Sequence, residues 1–272
     1  MAQQQQRVAL VTGVSSGIGK SSAIALLTAG FRVFGTSRRA EPGSSTDGVE
    51  MIRLDVTDDA SVNAAIAEVL QRAGQIDVLV NNAGVGIIGG AEESSIEQAK
   101  ALFDTNFFGV IRVIRAVVPH MRQRKSGRII NISSVLGFLP APYMAIYAAS
   151  KHAVEGYSES LDHELRTSGI RVALVEPAYT RTSFDQNMVG PDAALREYEG
   201  ARKHMAALLV ETTATADDPE VVADTVVRAA SDAKPKMRYP AGAVARKVTF
   251  LRRFAPISLV DGGMRKQMRL DA

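Results

Sequence analysis

The sequence predicts an α/β fold in which helices wind doubly around a parallel sheet of about seven strands, with extra helices at the C-terminus. Over roughly the first 180 residues, short apolar runs alternate with stretches of helical periodicity. This alternation is typical of parallel strands that are covered on both faces. A glycine-rich turn follows the first apolar run, as expected where a strand leads into a helix. Apolar residues make up 46% of the 272 residues, which excludes disordered and collagen-like chains.

The predicted elements alternate along the chain. Strands are predicted at residues 8–12, 31–36, 51–54, 76–80, 128–132 and 170–176. Helices are predicted at residues 17–29, 58–72, 95–100, 102–122 and 143–167. Because right-handed crossovers leave few topologies, we expect a doubly wound Rossmann fold whose ligand site lies beyond the carboxyl ends of the strands.

The pattern is looser after about residue 177. The sequence predicts an irregular or helical segment at 184–209, a helix at 219–231, a last strand at 237–239 and a basic amphipathic helix at 241–254. Neither an internal repeat nor a linker is evident, so we expect residues 1–272 to form a single domain. Within it, residues 184–212 would form a lid over the substrate, and 241–272 a basic C-terminal extension.

The net charge of +3 is unevenly distributed. Residues 231–272 contain ten Lys or Arg and three Asp or Glu, so the rest of the chain is acidic on balance. A basic tail can attract phosphate groups or anionic lipid, but a solvated face on C-terminal helices explains it more simply. We therefore expect no nucleic-acid partner and at most weak contact with a membrane surface.

The composition excludes several kinds of site. The chain has no cysteine, which excludes disulfides, a thiolate nucleophile and cysteine metal ligands. Its four histidines, His120, His152, His163 and His204, lack metal-ligand spacing, so no metal is expected. The sequence shows neither a signal-peptide pattern nor 18 consecutive apolar residues, and we expect a cytoplasmic location.

The glycine-rich turn at residues 12–19 predicts a dinucleotide site. Gly13, Gly17 and Gly19 allow a tight turn and close approach of the backbone to phosphate, while the helix N-terminus offers N–H groups. The cradle would be completed by Ser15, Ser16 and Ile18. The spacing Gly-x-x-x-Gly-x-Gly differs from the commoner Gly-x-Gly-x-x-Gly, and a purely structural turn remains an alternative.

The end of the second predicted strand favours NADP(H) over NAD(H). An acidic residue there would bind the ribose 2′-hydroxyl of NAD, whereas a basic residue accommodates the 2′-phosphate of NADP. The sequence has Arg38 and Arg39 and no carboxylate at this point. A planar guanidinium suits bidentate contact with phosphate, and we favour Arg38 over Arg39. The alternative is that both arginines face solvent.

Polar residues also follow the third and fourth predicted strands. These are Asp55-Val56 and Asn82-Ala83-Gly84. Such residues can contact the adenine and its ribose, or they can be turn residues that bind their own backbone. The sequence leaves both interpretations open.

Tyr147 and Lys151 lie four residues apart in a predicted helix, so they share one face. A phenol has an ordinary pKa near 10 and is a poor acid–base at neutral pH. A nearby ammonium favours the phenolate and would lower this pKa, which would make Tyr147 a useful general acid–base. On its own, the Tyr-x-x-x-Lys pattern is weak.

Together, the motifs resemble the short-chain dehydrogenase/reductase superfamily, in its NADP-preferring branch. The resemblance covers roughly residues 7–182 and rests on motifs in the family's order and spacing. They are Thr12-Gly13-x-x-x-Gly17-x-Gly19, Asn81-Asn82-Ala83-Gly84, Asn106, Ser134, Tyr147-x-x-x-Lys151 and Pro177. The long basic C-terminus is similar in layout to hydroxysteroid and retinol dehydrogenase-like members.

The resemblance implies a role for each catalytic residue. Tyr147 would transfer the proton, Lys151 would lower its pKa and bind the nicotinamide ribose, and Ser134 would polarise the substrate oxygen. Asn106 would hold a water that links Lys151 to solvent. The family separation of thirteen residues from Tyr147 favours Ser134 over Ser133.

One family position differs in this chain. The family frequently has Pro-Gly after the sixth strand, and this chain has Pro177-Ala178. The methyl group of the alanine would leave the nicotinamide less room to approach the backbone there. Thr180 and Thr182 follow and would bind its carboxamide and the phosphate. The family's Val-Asp-Gly-Gly occurs at residues 260–263, some twenty residues after the last predicted strand, so we interpret it as coincidental.

The substrate is expected to be a lipophilic ketone or secondary alcohol. Residues expected to border it are apolar or aromatic: Leu136, Phe138, Met144, Tyr179, Phe184 and Met188. Ordinary packing beneath a mobile segment is the alternative explanation. The family resemblance also implies a homodimer or homotetramer.

Two other functions remain as alternatives to an NADP(H)-dependent oxidoreductase. A non-catalytic NADP(H)-binding regulator is disfavoured because all four catalytic residues are present. Nucleic-acid or membrane-surface binding through the basic tail is disfavoured because the tail lacks a nucleic-acid motif and has few aromatic residues.

Overall fold

A computed structural model describes residues 6–184, 188–268 and 270. Its strands are β1 (Val8–Val11), β2 (Arg32–Ser37), β3 (Ser45–Thr46), β4 (Val49–Arg53), β5 (Val78–Asn81), β6 (Gly127–Ile132), β7 (Ile170–Pro177) and β8 (Arg238–Ala241). They form one sheet in the order β3-β4-β2-β1-β5-β6-β7-β8. Seven of these strands run parallel, which confirms the predicted doubly wound fold class.

The eighth strand, β3, was not predicted. It pairs antiparallel with β4 at the edge of the sheet through a tight turn at Asp47 and Gly48. Both turn residues have positive φ, 52° and 82°, as the favoured two-residue hairpin turns require. An Asp-Gly pair is a recognised hairpin signal, but a strand of two exposed residues shows no apolar alternation.

The helices wind around both faces of this sheet. They are α1 (Gly17–Thr28), α2 (Asp59–Ala73), α3 (Ile96–Phe103), α4 (Gly109–Arg124), α5 (Ala145–Leu165), α6 (Glu199–Ala214), α7 (Pro219–Ser231), α8 (Gly242–Phe254) and α9 (Ile257–Gln267). A π-helical turn, Asp104–Phe108, joins α3 to α4, so two predicted helices are continuous. Among the described residues, no helix is both long and apolar enough to cross a membrane.

Apolar clusters cover the two faces of the sheet. Along β1, Val8 and Leu10 enter one cluster while Ala9 and Val11 enter the other, as expected from the alternation of side chains along a strand. Helices α2, α4 and α5 cover the first face, and α1 and α7 cover the second. This arrangement leaves the carboxyl ends of the parallel strands together at one edge, where ligands bind in such folds.

A third apolar cluster lies beyond that edge. It joins Met144 and Tyr147 of α5 to Met205 and Leu208 of α6 and to Met268 near the C-terminus. The segment predicted as a lid therefore contributes to this cluster through α6. Residues 185–187 of the predicted lid, and residues 269 and 271–272 of the C-terminal extension, lie outside the described residues. The single-domain organisation stays a prediction.

Candidate active site

The turn between β1 and α1 has the backbone geometry that its glycines allow. Gly13 and Gly17 have φ of 72° and 57°, in the left-handed region that favours glycine. At Gly19, a Cβ would lie 2.2 Å from the carbonyl oxygen of Gly13 and 2.3 Å from Nδ2 of Asn82. No larger residue fits at position 19 without displacing the turn.

Asn82 braces this turn from the neighbouring strand β5. Its Nδ2 donates to the carbonyl oxygens of Thr12 and Gly13, both at 3.0 Å. In return, the Thr12 hydroxyl accepts from the backbone N–H groups of Asn82 and Ala83, at 3.0 and 3.1 Å. Of the two interpretations that the sequence left open, the observed hydrogen bonds support a structural role for the Asn82 amide. Gly84 lies beside Asn106, whose Oδ1 would be 3.3 Å from an added Cβ.

Asp55 and Val56 follow β4, and the side chain of Asp55 is also held by hydrogen bonds within the protein. Oδ1 of Asp55 accepts from the Thr57 backbone at 3.0 Å and from its hydroxyl at 2.8 Å. The pKa of Asp55 is lowered, chiefly by the hydrogen bond from the Thr57 backbone, although burial opposes this effect. The Thr57 hydroxyl and the positive charge of Arg38 lower the pKa further. Val56 is buried against Gly109. Asp55 is thus ionised and fixed at the strand end.

The two arginines after β2 are both exposed but lie differently. Arg39 lines a cavity of about 330 Å³ whose wall also includes Ser15 and Lys20. Arg38 is not part of that wall. Its positive charge lowers the pKa of Asp55, which follows the adjacent strand β4. The sequence favoured Arg38, whereas the cavity brings Arg39 beside the glycine-rich turn.

The first turn of α1 faces the loop that follows β7. Ser16 is the N-cap residue, and its hydroxyl accepts from the hydroxyl of Ser183 at 2.9 Å. A Cβ added to Gly17 would lie 3.1 Å from Cβ of Thr182. Ile18 packs partly buried against the second face of the sheet. The N-terminus of α1, which is suited to phosphate, is therefore flanked by residues from the end of β7.

The loop itself begins at Pro177 and Ala178. Thr180 is buried, and its hydroxyl donates to the carbonyl oxygen of Ala178 at 3.2 Å. The carbonyl oxygen of Pro177 accepts from the hydroxyl of Ser134 at 3.5 Å. This contact ties the end of β7 to the end of β6, next to the residues that the sequence predicts to be catalytic.

Tyr147 and Lys151 lie one helical turn apart on α5, and both side chains are almost completely buried. Nζ of Lys151 is 5.7 Å from the centre of the Tyr147 ring and donates to the carbonyl oxygen of Ile132 at 2.9 Å. Burial lowers the pKa of Lys151 to about 8, although the negative charge of Glu155 opposes this. The lysine therefore lies close to its point of titration at neutral pH.

Ser134 follows β6 and caps a short 3₁₀ turn, Val135–Gly137. Its hydroxyl accepts from the backbone N–H of Leu136 at 3.1 Å. Ser133 is buried, and a Cβ added at Gly137 would lie 2.5 Å from its Oγ and 2.9 Å from Oε1 of Glu155. The two serines therefore have different environments, and the choice of Ser134 stays a prediction.

Asn106 lies in the π-helical turn and is buried. Its side-chain amide forms two hydrogen bonds with the backbone of Val85, at 2.8 and 2.9 Å. Its Nδ2 also donates to the hydroxyl of Ser150 at 3.2 Å, and Ser150 donates to the carbonyl oxygen of Tyr147 at 2.7 Å. Asn106 thus links the loop after β5 to the backbone of α5 at Tyr147. Ser150 was not predicted to have a role, although it lies between Tyr147 and Lys151 in the sequence.

A family model described as "short chain dehydrogenase" matches residues 7–192, more than half of the chain. The chain belongs to the short-chain dehydrogenase family. This confirms the resemblance to the superfamily that was inferred from its motifs. The protein is an oxidoreductase of the kind that acts on CH–OH and C=O groups.

Two curated relatives of this short-chain dehydrogenase have named activities. A protein of Bacteroides thetaiotaomicron named 3-ketodihydrosphingosine reductase is 44% identical over 183 residues, 67% of either chain. The mouse protein named 17-beta-hydroxysteroid dehydrogenase type 1 is 35% identical, with 85% of this chain and 72% of that protein aligned. The hydroxysteroid dehydrogenase-like layout expected from the C-terminus agrees with this second match.

Solved structures extend the match over nearly the whole chain. A short-chain dehydrogenase of Streptomyces avermitilis aligns with a TM-score of 0.83, 33% identity and 98% coverage of both chains. A Burkholderia phymatum enzyme in complex with NAD has a TM-score of 0.78 and 28% identity, with 93% and 95% covered. A Burkholderia cenocepacia enzyme in complex with NADP has a TM-score of 0.76 and 26% identity, with 96% and 98% covered. Neighbours of this short-chain dehydrogenase thus bind either form of the cofactor.

Four of the six residues expected to border the substrate lie near Tyr147, whereas Phe138 and Tyr179 are not part of the third apolar cluster. Leu136, Met144, Phe184 and Met188 contribute to the third apolar cluster, which contains Tyr147 itself. The rings of Tyr147 and Phe184 have centres 5.8 Å apart. The phenol of this short-chain dehydrogenase therefore has an apolar wall on one side.

Sequence reasoning missed a group of charged residues behind Lys151. Arg238 on β8 binds the buried carboxylates of Glu155 on α5 and Glu176 on β7, and it reaches the half-exposed Glu159 at 2.9 Å. Burial raises the pKa of Glu176 to about 7; the charge of Glu155 acts in the same direction and Arg238 opposes it. Burial likewise raises the pKa of Glu155. In the sequence, only the position of Glu155 one turn after Lys151 signalled this group.

Proposed function

We propose that this protein transfers hydride between NADP(H) and a lipophilic carbonyl compound or secondary alcohol. The main support is the pairing of Tyr147 and Lys151. Both are buried, Nζ of Lys151 is 5.7 Å from the centre of the Tyr147 ring, and Ser134 lies at the neighbouring end of β6. This arrangement is suited to exchanging a proton with an oxygen atom in an apolar pocket.

The residues present fit a dinucleotide. Gly19 leaves a cradle that a Cβ would fill, and the N-terminus of α1 beside it is suited to the pyrophosphate. The proposed cofactor contacts are Gly13, Ser15, Ser16, Gly17, Ile18, Gly19, Arg38, Arg39, Asp55, Val56, Asn82, Ala83, Gly84, Tyr147, Lys151, Pro177, Ala178, Thr180 and Thr182. When bound, the nicotinamide supplies the hydride chemistry.

The basic residues support NADP(H) as the preferred form. Arg38 and Arg39 follow β2 where NAD-binding sheets of this type place an acidic residue. The cavity wall also contains Lys20, although Asp47 pairs with it at 2.9 Å. A 2′-phosphate would gain charge-assisted hydrogen bonds from the two guanidiniums, although Glu41 and Asp47 lie in the same cavity wall, whereas a 2′-hydroxyl would gain little from them.

Four residues would handle the proton and the substrate oxygen. Tyr147 would pass the proton, and Ser134 would hydrogen-bond the same oxygen. Lys151 would stabilise the phenolate through its charge, which its buried position makes more effective. Asn106, bound to Val85 and Ser150, would keep the helix at Tyr147 in place and hold a water that links Lys151 to solvent.

The apolar wall around Tyr147 supports a lipophilic substrate. Four of the predicted bordering residues gather there, and helix α6 with the C-terminal segment closes the outer side. The names of the two curated relatives point in the same direction, since one refers to a ketosphingolipid and the other to a steroid.

The decisive experiment measures NADPH oxidation with ketones of graded size and polarity, for the wild type and Tyr147→Phe. We expect turnover to rise with the apolar size of the ketone and to fall by at least about 100-fold in Tyr147→Phe, with NADPH binding retained. Tyr157→Phe is the matched control, because it removes the same oxygen from the same helix at a position that packs against Phe107.

Two results would contradict this function. Equal turnover for Tyr147→Phe and wild type would remove the proton-transfer role. Tight NADPH binding without turnover on any ketone or alcohol in the series would instead favour the non-catalytic regulator.

A further inference from the structure

Helices α8 and α9 expose an unusual amount of apolar surface. We define the C-terminal patch as Val244, Phe250, Leu251, Phe254, Ile257 and Leu259, whose exposed fractions range from 43% to 75%. These six are more than half of the large apolar side chains that are exposed in the described part of the chain. Clustering of this kind marks an interaction surface rather than scattered exposure.

The part of the patch on α8 forms one continuous face. Val244, Leu251 and Phe254 recur at helical spacing, and the rings of Phe250 and Phe254 lie 4.9 Å apart. The opposite side of α8 faces the protein, since Ala245 is completely buried. Arg252 anchors the helix there by donating to the carbonyl oxygen of Phe138 at 3.2 Å. The apolar face therefore points away from the body of the protein.

Basic residues surround this apolar face. Helices α8 and α9 contain six Lys or Arg and a single acidic residue, Asp261. Arg246, Lys247 and Arg253 are exposed and form no ion pair with any described residue. At helical spacing, Arg246 and Arg253 lie at one edge of the apolar face of α8, and Lys247 lies within that face, between Val244 and Leu251. The surface combines an apolar face with unpaired positive charge.

The inner side of the same region closes the apolar pocket. Met264 of α9, together with Met268 and Leu270, packs against the cluster that contains Met144 and Tyr147. The C-terminal extension thus carries the C-terminal patch and also contributes side chains to the apolar cluster around the phenol.

We propose that α8 and α9 dock on an anionic lipid surface, with the C-terminal patch inserted at the boundary of headgroups and acyl chains. Charge complementarity selects this partner: basic residues bordering an apolar face bind anionic headgroups while the apolar side chains enter the lipid. A second copy of the chain fits less well, since a symmetric contact would bring two basic surfaces together. Resting on the proposed function, the docking would let a lipophilic substrate reach the pocket directly from the bilayer.

The test is co-sedimentation of the full chain with vesicles of phosphatidylcholine alone or with about 30% phosphatidylserine. We expect binding to the anionic vesicles only, reduced at least about tenfold in about 0.5 M salt, because salt screens charges at a surface. The variant Phe250→Ser/Phe254→Ser should lose at least about tenfold in binding. Val210→Ser, at a residue that is 73% exposed on α6, is the matched control and should bind like the wild type.

Other results would overturn the docking. These are absence of binding to anionic vesicles, equal binding by the wild type and Phe250→Ser/Phe254→Ser, or a dimer that this variant dissociates. Turnover of a small water-soluble ketone is measured in parallel without vesicles. That activity should be unchanged in the variant, so loss of docking is distinguished from failure of the proposed function.

Discussion

Two adjacent guanidiniums at the end of β2 occupy different surroundings. Arg39 lines the cavity beside the glycine-rich turn, while Arg38 lies close enough to Asp55 to lower the pKa of that carboxyl. A 2′-phosphate is a dianion with several acceptor oxygens, so it can engage both side chains at once. The two arginines are therefore best tested as a pair.

We predict that Arg38→Ala/Arg39→Ala weakens NADPH binding by about 10- to 100-fold and changes NADH binding by less than about threefold. The estimate follows from the loss of one or two charge-assisted hydrogen bonds. Titration of cofactor fluorescence measures both dissociation constants, and the single variants apportion the loss. Lys20→Ala is the control, since Asp47 already pairs with that lysine. Equal losses for both cofactors would mean that the arginines contact a part that the two share, and unchanged binding of both would assign the arginines to the solvent-facing surface.

For single residues, the sequence predicted contacts between close neighbours in the chain but not contacts between residues far apart in the chain. The i,i+4 relation predicted that Tyr147 and Lys151 share a face of α5, as the structure shows. Asn82 was ambiguous because its partners, Thr12 and Gly13, lie about 70 positions earlier in the sequence. A sequence shows which polar groups exist, whereas the fold decides which of them meet.

Among the structural elements, the turn from β1 into α1 has the tightest steric requirement. We predict that Gly19→Ala weakens NADPH binding by at least about tenfold and lowers the free energy of unfolding by roughly 1–3 kcal/mol. The reason is that the added Cβ would displace the Gly13 carbonyl or the Asn82 amide, at 2.2 and 2.3 Å. Denaturant titration and cofactor binding measure the two effects.

Gly156→Ala is the control for this substitution. Apart from its chain neighbours and the backbone of α5, no atom of the described residues lies within 4 Å of an added Cβ at that exposed position. Helix propensity predicts a gain of about 0.5–1 kcal/mol, with cofactor binding unchanged. If Gly19→Ala and Gly156→Ala had the same stability and cofactor binding, the short distances from position 19 to the Gly13 carbonyl and the Asn82 amide would not constrain the turn.

Elements with strong apolar patterns were predictable, and those defined by tertiary contacts were not. Helix α7 occupies residues 219–231, the predicted range, because apolar spacing and an initial proline define it. Asn106 was expected in an ordinary helix, but it lies in a π-helical turn, which a sequence pattern does not reveal. Extra C-terminal helices were expected, but the position of α9 was not predicted, because it contains Gly262 and Gly263, which disfavour a helix, and none of its residues is fully buried.

Three distant parts of the molecule meet at Arg238. Helix α5 supplies Glu155 and Glu159, β7 supplies Glu176, and β8 supplies the arginine itself. Glu176 is completely buried and its neighbour Pro177 ends β7 at the candidate active site. Two buried carboxylates around one guanidinium leave negative charge that the interior does not compensate, which disfavours ionisation of both.

This arrangement predicts how stability changes with pH. Burial raises the pKa of Glu176 from 4.5 to about 7 in the folded protein, so between these values the folded state holds a proton that the unfolded state has released. The free energy of unfolding contributed by Glu176 is therefore greatest below about pH 4.5 and decreases as the pH rises toward 7. Above pH 7 the buried charge destabilises the fold, by an amount on the order of 1–3 kcal/mol.

We predict that Glu176→Gln removes most of this decrease. Relative to the wild type, the variant should gain stability as the pH is raised from 5 to 7.5, because glutamine has no proton to lose. Urea unfolding at both pH values measures the difference. Glu159→Gln is the matched control: this carboxylate also binds Arg238 but is 49% exposed, so it should leave the pH dependence nearly unchanged. A wild-type slope retained in Glu176→Gln would mean that another group, with Glu155 the first candidate, holds the proton in this buried site.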